Sequence, residues 1–490
     1  MEVASDLDGE RRDCMRAFVM AGAAVALGVG VALVRRQLRR SSHLDRLRLE
    51  HVSETARLYR NAGTRILILG AGFGGLSTAL KLDQQLRYAS DTSVLVVGRD
   101  NDMLFNPLLW TVANGRTNPN DAVVRIRDFQ KERRFHVLQA EVEHIDLERK
   151  QVQTSVGIRP YDKLVIALGS HTRMPDLPGL RKYALPFHTT ADALQLRNHL
   201  IDAVEAAHHS EDPQQRQAWL TFVVGGAGDT GVELAAIIQD YITSGLFSEY
   251  PWLADAPVRI ILVGHAERIL PMAKPDTAEL VHRVLEREGI EIRTGTAITG
   301  VTERTVETSK GIIAARTLFW AAGIQPAEVV RELPVQHAHN GAIMVDDYLR
   351  IPGHPEVYVI GDSSWAYDSM TRAPVPATAQ AARQQGIYVG RTIAREYAKR
   401  PAPPYRYNPL GHLALLGHYV GVAEIGPFTF GGFPAFLLWH LAYLVRNPSW
   451  RKRLRLVVDW TLSALLGREI GELRLETEQA AEKRGLEPRT

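Results

Sequence analysis

Cysteine is almost absent from this 490-residue chain, since Cys14 is the single one and it precedes every segment with the pattern of a folded domain. One cysteine excludes an intrachain disulfide, a cluster of cysteine metal ligands and a redox-active cysteine pair. Net charge is also small, at +3, and the basic residues form no stripe with interleaved aromatic residues. Nucleic acid is therefore not an expected partner.

Long apolar runs are scarce, and the clearest is Ala17–Val34, which has 18 residues without a charge. As a helix it would be roughly 27 Å long, enough to span a bilayer. Arginines follow it directly, so we expect a transmembrane helix in the cell membrane with the rest of the chain on the cytoplasmic side. A cleaved signal peptide beginning at Arg11 and Arg12 is the alternative. A stripe of small residues suits helix pairing and a possible homodimer: Gly22, Ala26 and Gly30.

Two apolar segments, RILILG and LTFVVG, each run into a glycine loop that opens a helical pattern. In this context the glycines permit a tight turn, close approach of the backbone to a pyrophosphate, and helix–strand packing, while the helix N-terminus attracts phosphates. Two such loops predict two dinucleotides, one FAD and one nicotinamide nucleotide. The glycines are Gly70, Gly72, Gly75, Gly226, Gly228 and Gly231.

Neither loop is followed by the acidic residue that usually ends the second strand and binds the ribose hydroxyls. Gly98 and Arg99 occupy this place after the first loop, and Gly264 and His265 occupy it after the second. At the second loop the lack of an acid removes repulsion toward a 2'-phosphate. NADPH therefore stays open as a donor, although we favour NADH.

Short strand-like runs alternate with helical stretches along the chain, namely KLVIALGS, VRIILVG, TLFWAAG and VYVIGD. This alternation predicts an α/β protein with two Rossmann-like dinucleotide-binding domains on doubly wound parallel sheets. We expect an anchor and connector in residues 1–63, an FAD domain in 64–185 and 326–404, an NAD(P)H domain in 186–325, and a membrane-associating or dimerisation region in 405–490.

The C-terminal region has a different composition. GHLALLGHYVGVAEI predicts a hairpin, and Trp450–Leu466 begins with basic residues and continues with apolar ones. Such a composition suits a helix that lies in the lipid headgroup layer, with a core helix or a dimer surface as alternatives. His412, His418 and His440 have no metal-site spacing, so we expect no metal and structural roles for them.

Together these motifs resemble the type II, non-proton-pumping NADH:quinone oxidoreductases of the FAD-dependent pyridine nucleotide-disulfide oxidoreductase superfamily. The resemblance covers Arg65 to about Leu473 and is carried by RILILGAGFGGL, MLFNPLLWTVANG, LVIALGS, VVGGAGDTGVELA, LFWAAG, HPEVYVIGD and AQAARQQG. It implies hydride transfer from NADH or NADPH to FAD, followed by two-electron reduction of a membrane quinone.

The resemblance also assigns residues. It implies three catalytic residues, with Glu233 beside the nicotinamide and with Gln380 and Gln384 as hydrogen-bond donors to the quinone. Asp229 and Leu168 depart from the family, which often has proline and threonine there. The cofactor-binding residues that it implies are Gly70, Gly72, Phe73, Gly75, Arg99, Ala167, Gly169, Gly226, Gly228, Gly231, Gly323, Gly361, Asp362 and Ala379.

Two other functions stay open at this point. One is a flavoprotein like ferredoxin reductase or apoptosis-inducing factor, with a protein acceptor. The other is a membrane-anchored sensor that binds FAD and NAD(P) without turnover. Relay of electrons through a disulfide is excluded, because no cysteine pair exists.

Overall fold

The computed structural model describes residue 59 and residues 61–131, 133–417, 419–468 and 470–471. The predicted transmembrane helix Ala17–Val34, with its stripe of small residues, lies outside this part of the chain, as does His418. Within the described ranges, no helix combines the length and the apolar character that are needed to cross a bilayer.

The first glycine loop follows the middle of a six-stranded sheet. Five of its strands are parallel and one short edge strand is antiparallel. The central strand Thr64–Leu69 is apolar and buried along its C-terminal part, as expected for a parallel strand covered on both faces. In spatial order the strands are Arg350–Ile351, His354–Val359, Lys163–Ile166, Thr64–Leu69, Thr92–Gly98 and Phe135–Gln139.

Two helices cover one face of this sheet and pack closely on each other, Phe73–Gln85 and Ala379–Tyr397. Glycine permits this approach, because a Cβ atom on Gly386 would lie 2.2 Å from the carbonyl oxygen of Gly74. The AQAARQQG segment is therefore fixed against the helix that follows the first loop.

The second glycine loop follows the central strand of a five-stranded parallel sheet. Its strands, in spatial order, are Ala184–Pro186, Thr317–Trp320, Thr221–Gly225, Arg259–Val263 and Ile290–Arg293. Three long helices accompany it, Thr190–His208, Asp229–Tyr241 and Pro275–Arg287. The predicted α/β class with parallel sheets is confirmed, whereas the exact domain boundaries stay predictions.

Smaller elements complete these two units. Two antiparallel sheets of three strands are formed by Val142–Asp146, Gln151–Thr154 and Gly157–Pro160, and by Ile298–Val301, Thr305–Thr308 and Gly311–Ala314. Two-stranded pairs join Asp102–Leu104 to Val123–Arg125, Ser170–Thr172 to Ile324–Pro326, and Ile343–Met344 to Ser364–Trp365. Short α-helices span Leu109–Ala113, Ile126–Gln130, Leu180–Tyr183, Pro213–Trp219, Phe247–Glu249 and Glu328–Arg331.

The C-terminal region forms an antiparallel sheet of three strands, His412–Leu415, Gly421–Ile425 and Phe428–Gly432. The predicted hairpin is thus extended by a third strand. Two helices follow, Phe433–Arg446 and Trp450–Leu466. The second of them has the bounds of the segment for which the sequence predicted a helix.

Candidate active site

The three glycines of the first loop have three different environments. Gly70 has a φ of +98°, and a Cβ atom there would lie 2.1 Å from the carbonyl oxygen of Ala167. A Cβ atom on Gly75 would lie 1.9 Å from the carbonyl oxygen of Gly70, but one on Gly72 would meet no atom of the described residues within 4 Å. The open space lies at the N-terminus of the helix Phe73–Gln85, whose first turn contains no acid. The loop therefore fits the pyrophosphate of a dinucleotide.

The second loop repeats this geometry. Gly226 has a φ of +112°, and a Cβ atom there would lie 2.8 Å from the carbonyl oxygen of Ala321. On Gly231 a Cβ atom would lie 1.6 Å from the carbonyl oxygen of Gly226, whereas on Gly228 it would again meet nothing within 4 Å in the part of the chain that the structure describes. This loop also fits a pyrophosphate. It differs in one respect, because its helix begins with the acidic residue Asp229.

Glycine stands in place of the expected acid at both sites for a steric reason. A Cβ atom on Gly98 would lie 3.1 Å from the Cβ of Ala71, and one on Gly264 would lie 2.5 Å from the Cβ of Ala227. Each glycine loop thus packs directly on the end of its second strand. Arg99, the next residue in the first site, is exposed and forms an ion pair with the neighbouring Asp100 at 3.2 Å.

Two neighbouring strand ends bring together a second group of predicted residues. The strand Lys163–Ile166 leads to Ala167 and Gly169, and the adjacent parallel strand His354–Val359 leads to Gly361 and Asp362. Gly169 and Gly361 both have positive φ, at +69° and +66°. The hydroxyl of Ser170 donates to Oδ2 of Asp362 at 2.6 Å. The structure therefore places this carboxylate at the C-terminal edge of the first sheet, where ligands bind in such folds.

Gln385 is a residue of this edge that the sequence reasoning missed. Its side chain is 2% exposed, and its Oε1 accepts a hydrogen bond from the backbone N–H of Gly361 at 2.6 Å. The AQAARQQG segment was recognised, but the choice between adjacent glutamines depends on the rotation of the helix. That rotation is fixed by packing on another helix, which a local pattern does not reveal.

The two glutamines that were predicted to meet the quinone are both hydrogen-bonded to one loop. Gln380 donates from Nε2 to the hydroxyl of Tyr407 at 2.9 Å. Gln384 donates to the carbonyl oxygen of Asn408 at 2.7 Å and accepts the N–H of the same residue at 3.1 Å. These contacts hold the loop before the C-terminal sheet, and a role toward quinone stays a prediction.

Three other predicted residues lie beside the loops. Phe73 begins the first-loop helix, and its ring centroid lies 5.6 Å from that of Phe105. Gly323, with a φ of +85°, follows the strand Thr317–Trp320 and has open space where a Cβ would be. Ala379 begins the helix that Thr378 caps through its hydroxyl.

Glu233 is a buried carboxyl group that joins the second-loop helix to the C-terminal sheet. It is 8% exposed, and its Oε1 accepts the backbone N–H of Leu415 at 3.0 Å. Burial raises its pKa to about 8, while the hydrogen bond from Leu415 opposes this rise. At neutral pH the group is therefore mostly protonated and can hold a proton inside the protein.

Two sheets of mainly parallel strands, each with a glycine cradle, that is, a glycine loop that fits a pyrophosphate, define the class of oxidoreductases that bind two dinucleotides. Residues 64–386 match the pyridine nucleotide-disulphide oxidoreductase family. Residues 410–469 match the NDH2 C-terminal domain.

Similarity to proteins of known function identifies the family within this class of oxidoreductases. The type II NADH:quinone oxidoreductase Ndh of Mycobacterium tuberculosis is 33% identical over 443 residues, which cover 86% of this chain and 92% of that protein. The chain belongs to the type II NADH:quinone oxidoreductase family, and the resemblance seen in its motifs is confirmed.

Solved structures agree on the fold. The structure of NDH2 from Plasmodium falciparum in complex with NADH has a TM-score of 0.75 and 21% identity, covering 83% of this chain and 99% of the other. A ferredoxin reductase from Rhodopseudomonas palustris has a TM-score of 0.59 and 21% identity, covering 74% and 82%. The shared fold therefore extends to reductases with protein acceptors.

Proposed function

We propose that this chain oxidises NADH through bound FAD and reduces a membrane quinone by two electrons, without pumping protons. The observation that carries this proposal is the occurrence of two glycine cradles and an NDH2-type C-terminal domain in one chain. FAD would supply the ring that accepts a hydride and passes on two electrons. The family membership favours this function over a protein acceptor or a sensor without turnover.

Residues of the chain would hold and orient the reactants. The first loop would bind the FAD pyrophosphate and the second loop that of the nicotinamide nucleotide, with the domain boundaries 64–185, 186–325 and 326–404 given above. Asp362, oriented by Ser170 at 2.6 Å, would accept hydrogen bonds from the ribityl chain. Glu233 would hold a proton beside the nicotinamide, since burial keeps it protonated at neutral pH.

Anaerobic stopped-flow spectroscopy tests this function. Purified protein is mixed with NADH or NADPH while the visible absorption of the flavin is followed, and a menaquinone or ubiquinone analogue is then added. We expect bleaching by NADH and recovery with quinone. Bleaching that is reversed only by a one-electron protein carrier would favour the ferredoxin-reductase-like alternative, and no bleaching would favour the sensor.

The C-terminal helix Trp450–Leu466 supports attachment to a bilayer. Its inner side is held by Lys452, which lies 3.1 Å from Oδ1 of Asp121, and by the indole N–H of Trp460, which donates to Thr117 at 3.1 Å. Its outer side leaves exposed basic residues near the start and apolar ones toward the end, where Leu466 is 81% exposed. This arrangement of exposed basic and apolar residues suits a helix lying in the headgroup layer. The transmembrane helix Ala17–Val34, the cytoplasmic orientation and a homodimer are further parts of the proposal.

A polarity-sensitive probe can test the attachment site in the full chain. The probe is placed at Leu466→Cys in a Cys14→Ser background, and the matched control is Ile312→Cys, since Ile312 is also exposed, at 72%. Anionic vesicles should shift the emission of the first probe to the blue and leave the second unchanged. A shift at Leu466→Cys that needs no lipid but grows with protein concentration would indicate a dimer surface instead.

A further inference from the structure

The helix that follows the second glycine loop begins with a carboxylate. Asp229 is its first residue, directly after Gly228, whereas the first turn of the corresponding helix Phe73–Gln85 contains no acid. An acid in this position stabilises the positive end of the helix. The same end is where a dinucleotide places its pyrophosphate. An uncompensated carboxylate here would therefore repel the phosphates and compete for the helix N-terminus.

His412 of the C-terminal sheet provides the compensation. Its Nε2 lies 3.0 Å from Oδ1 of Asp229. The hydrogen bond with Asp229 raises the pKa of His412, although burial opposes this rise. The other ring nitrogen, Nδ1, is buried and has no hydrogen-bond partner in the described part of the chain. The ring is thus oriented by its contact with Asp229.

The other charged groups near His412 are already accounted for. Glu424 lies opposite His412 in the sheet, but Lys274 pairs with it at 3.2 Å and Thr277 donates to it at 2.7 Å. Glu233, one turn beyond Asp229, is kept protonated at neutral pH by burial. Asp229 is therefore the carboxylate whose charge His412 balances.

We propose that protonated His412 neutralises Asp229 and holds it toward the C-terminal sheet, so that the second glycine loop can accept the pyrophosphate of NADH. His412 is then a positioning residue, since it acts on the nucleotide through Asp229. The proposal rests on the proposed function, which assigns the second loop to the nicotinamide nucleotide. When His412 loses its proton, an uncompensated anion remains at the loop, so nucleotide affinity should fall as the pH rises.

Isothermal titration calorimetry on the FAD-loaded full-length protein tests this pH dependence of nucleotide affinity. The ligand is ADP-ribose, which has the pyrophosphate but cannot transfer hydride. All the proteins compared carry Glu233→Gln, because burial raises the pKa of Glu233 to about 8 and this group would otherwise titrate in the same pH range. Between about pH 6 and about pH 9, the Kd of this Glu233→Gln parent should rise about fivefold, as expected for loss of a partly exposed counter-charge. Asp229→Asn should bind tightly at both pH values, and His412→Gln weakly at both. The double variant should resemble Asp229→Asn. Flavin content and Tm verify that each variant is folded.

A pH-independent Kd in the Glu233→Gln parent, or the pH profile of this parent retained after Asp229→Asn, would overturn the proposal, as would the absence of ADP-ribose binding at both pH values. The binding readout is separate from turnover. If NADH fails to bleach the flavin but ADP-ribose binds with the expected pH profile, the proposed hydride transfer fails, whereas nucleotide binding at the second loop and the role of His412 in it stand. If NADH is oxidised but the Kd of ADP-ribose does not change with pH, the proposed function stands and the role of His412 fails.

Discussion

Replacing Glu233 by glutamine should stabilise the protein, and more strongly at alkaline than at acidic pH. Burial raises the pKa of Glu233 from 4.5 to about 8. A carboxyl group with a raised pKa in the folded state binds its proton more tightly there, so stability is lost as the pH rises from the unfolded to the folded pKa. Glutamine keeps an oxygen that can accept the N–H of Leu415 at 3.0 Å but cannot ionise.

The magnitude follows from the pKa difference. Each pKa unit corresponds to about 1.4 kcal/mol, so the rise from 4.5 to about 8 corresponds to about 5 kcal/mol of unfolding free energy. Because the group is already partly ionised in the unfolded state at about pH 4.5 and not fully ionised in the folded state at about pH 8.5, the advantage of Glu233→Gln over the native protein should grow by about 4 kcal/mol between these two pH values.

Differential scanning calorimetry of the FAD-loaded proteins at these two pH values measures the effect as a change in the Tm difference. Glu356→Gln is the matched control. Burial by itself would raise the pKa of Glu356, but the hydrogen bond and charge of Lys150, 2.9 Å away, help to outweigh burial, so the pKa of this carboxyl group is lowered. Its replacement should therefore destabilise the protein, and more so at the higher pH. A Tm difference between native and Glu233→Gln that is equal at both pH values would refute the reasoning.

Other contacts give further expectations. Gly75→Ala, whose Cβ would lie 1.9 Å from a carbonyl oxygen, should abolish flavin retention. Gly231→Ala, whose Cβ would lie 1.6 Å from a carbonyl oxygen, should keep the flavin but lose ADP-ribose binding. The same outcome in both variants would contradict separate sites for the two nucleotides. Asp240→Asn removes the carboxylate 3.0 Å from buried Arg468 and should cost about 3–5 kcal/mol, seen as faster tryptic cleavage at Arg468. Gln385→Leu removes the acceptor of a backbone N–H at 2.6 Å and should cost about 1–3 kcal/mol, measurable by calorimetry.

The fold class could be predicted because its signals are local. A parallel strand buried on both faces is a short continuous apolar run, as in Thr64–Leu69 and Thr221–Gly225. The glycine spacing after each run then fixes the turn into a helix. The same holds for the helix Trp450–Leu466, whose composition changes along its length in a way visible from the sequence alone.

The contacts within the site could not be predicted, because they join residues far apart in the chain. Leu415 and Glu233 are separated by 182 positions. The spacing of Gln380 and Gln384 correctly indicated one helix face, but the buried glutamine of the site is Gln385. The third C-terminal strand, Phe428–Gly432, was missed because it ends in two glycines, which are unfavourable in strands.

The C-terminal region contacts the helix that presents the second glycine loop through three acidic side chains of that helix. Asp229, Glu233 and Asp240 are spaced by four and seven residues, which places them on one face of the helix Asp229–Tyr241. Each of these acids has a C-terminal partner, namely His412 at 3.0 Å, the N–H of Leu415 at 3.0 Å and Arg468 at 3.0 Å. Without Arg468, the buried carboxylate of Asp240 would keep only Arg116, at 3.5 Å, as an ion-pair partner among the described residues, and the loss of a buried partner costs several kcal/mol. The stability of the helix that presents the second glycine loop therefore depends on the C-terminal region.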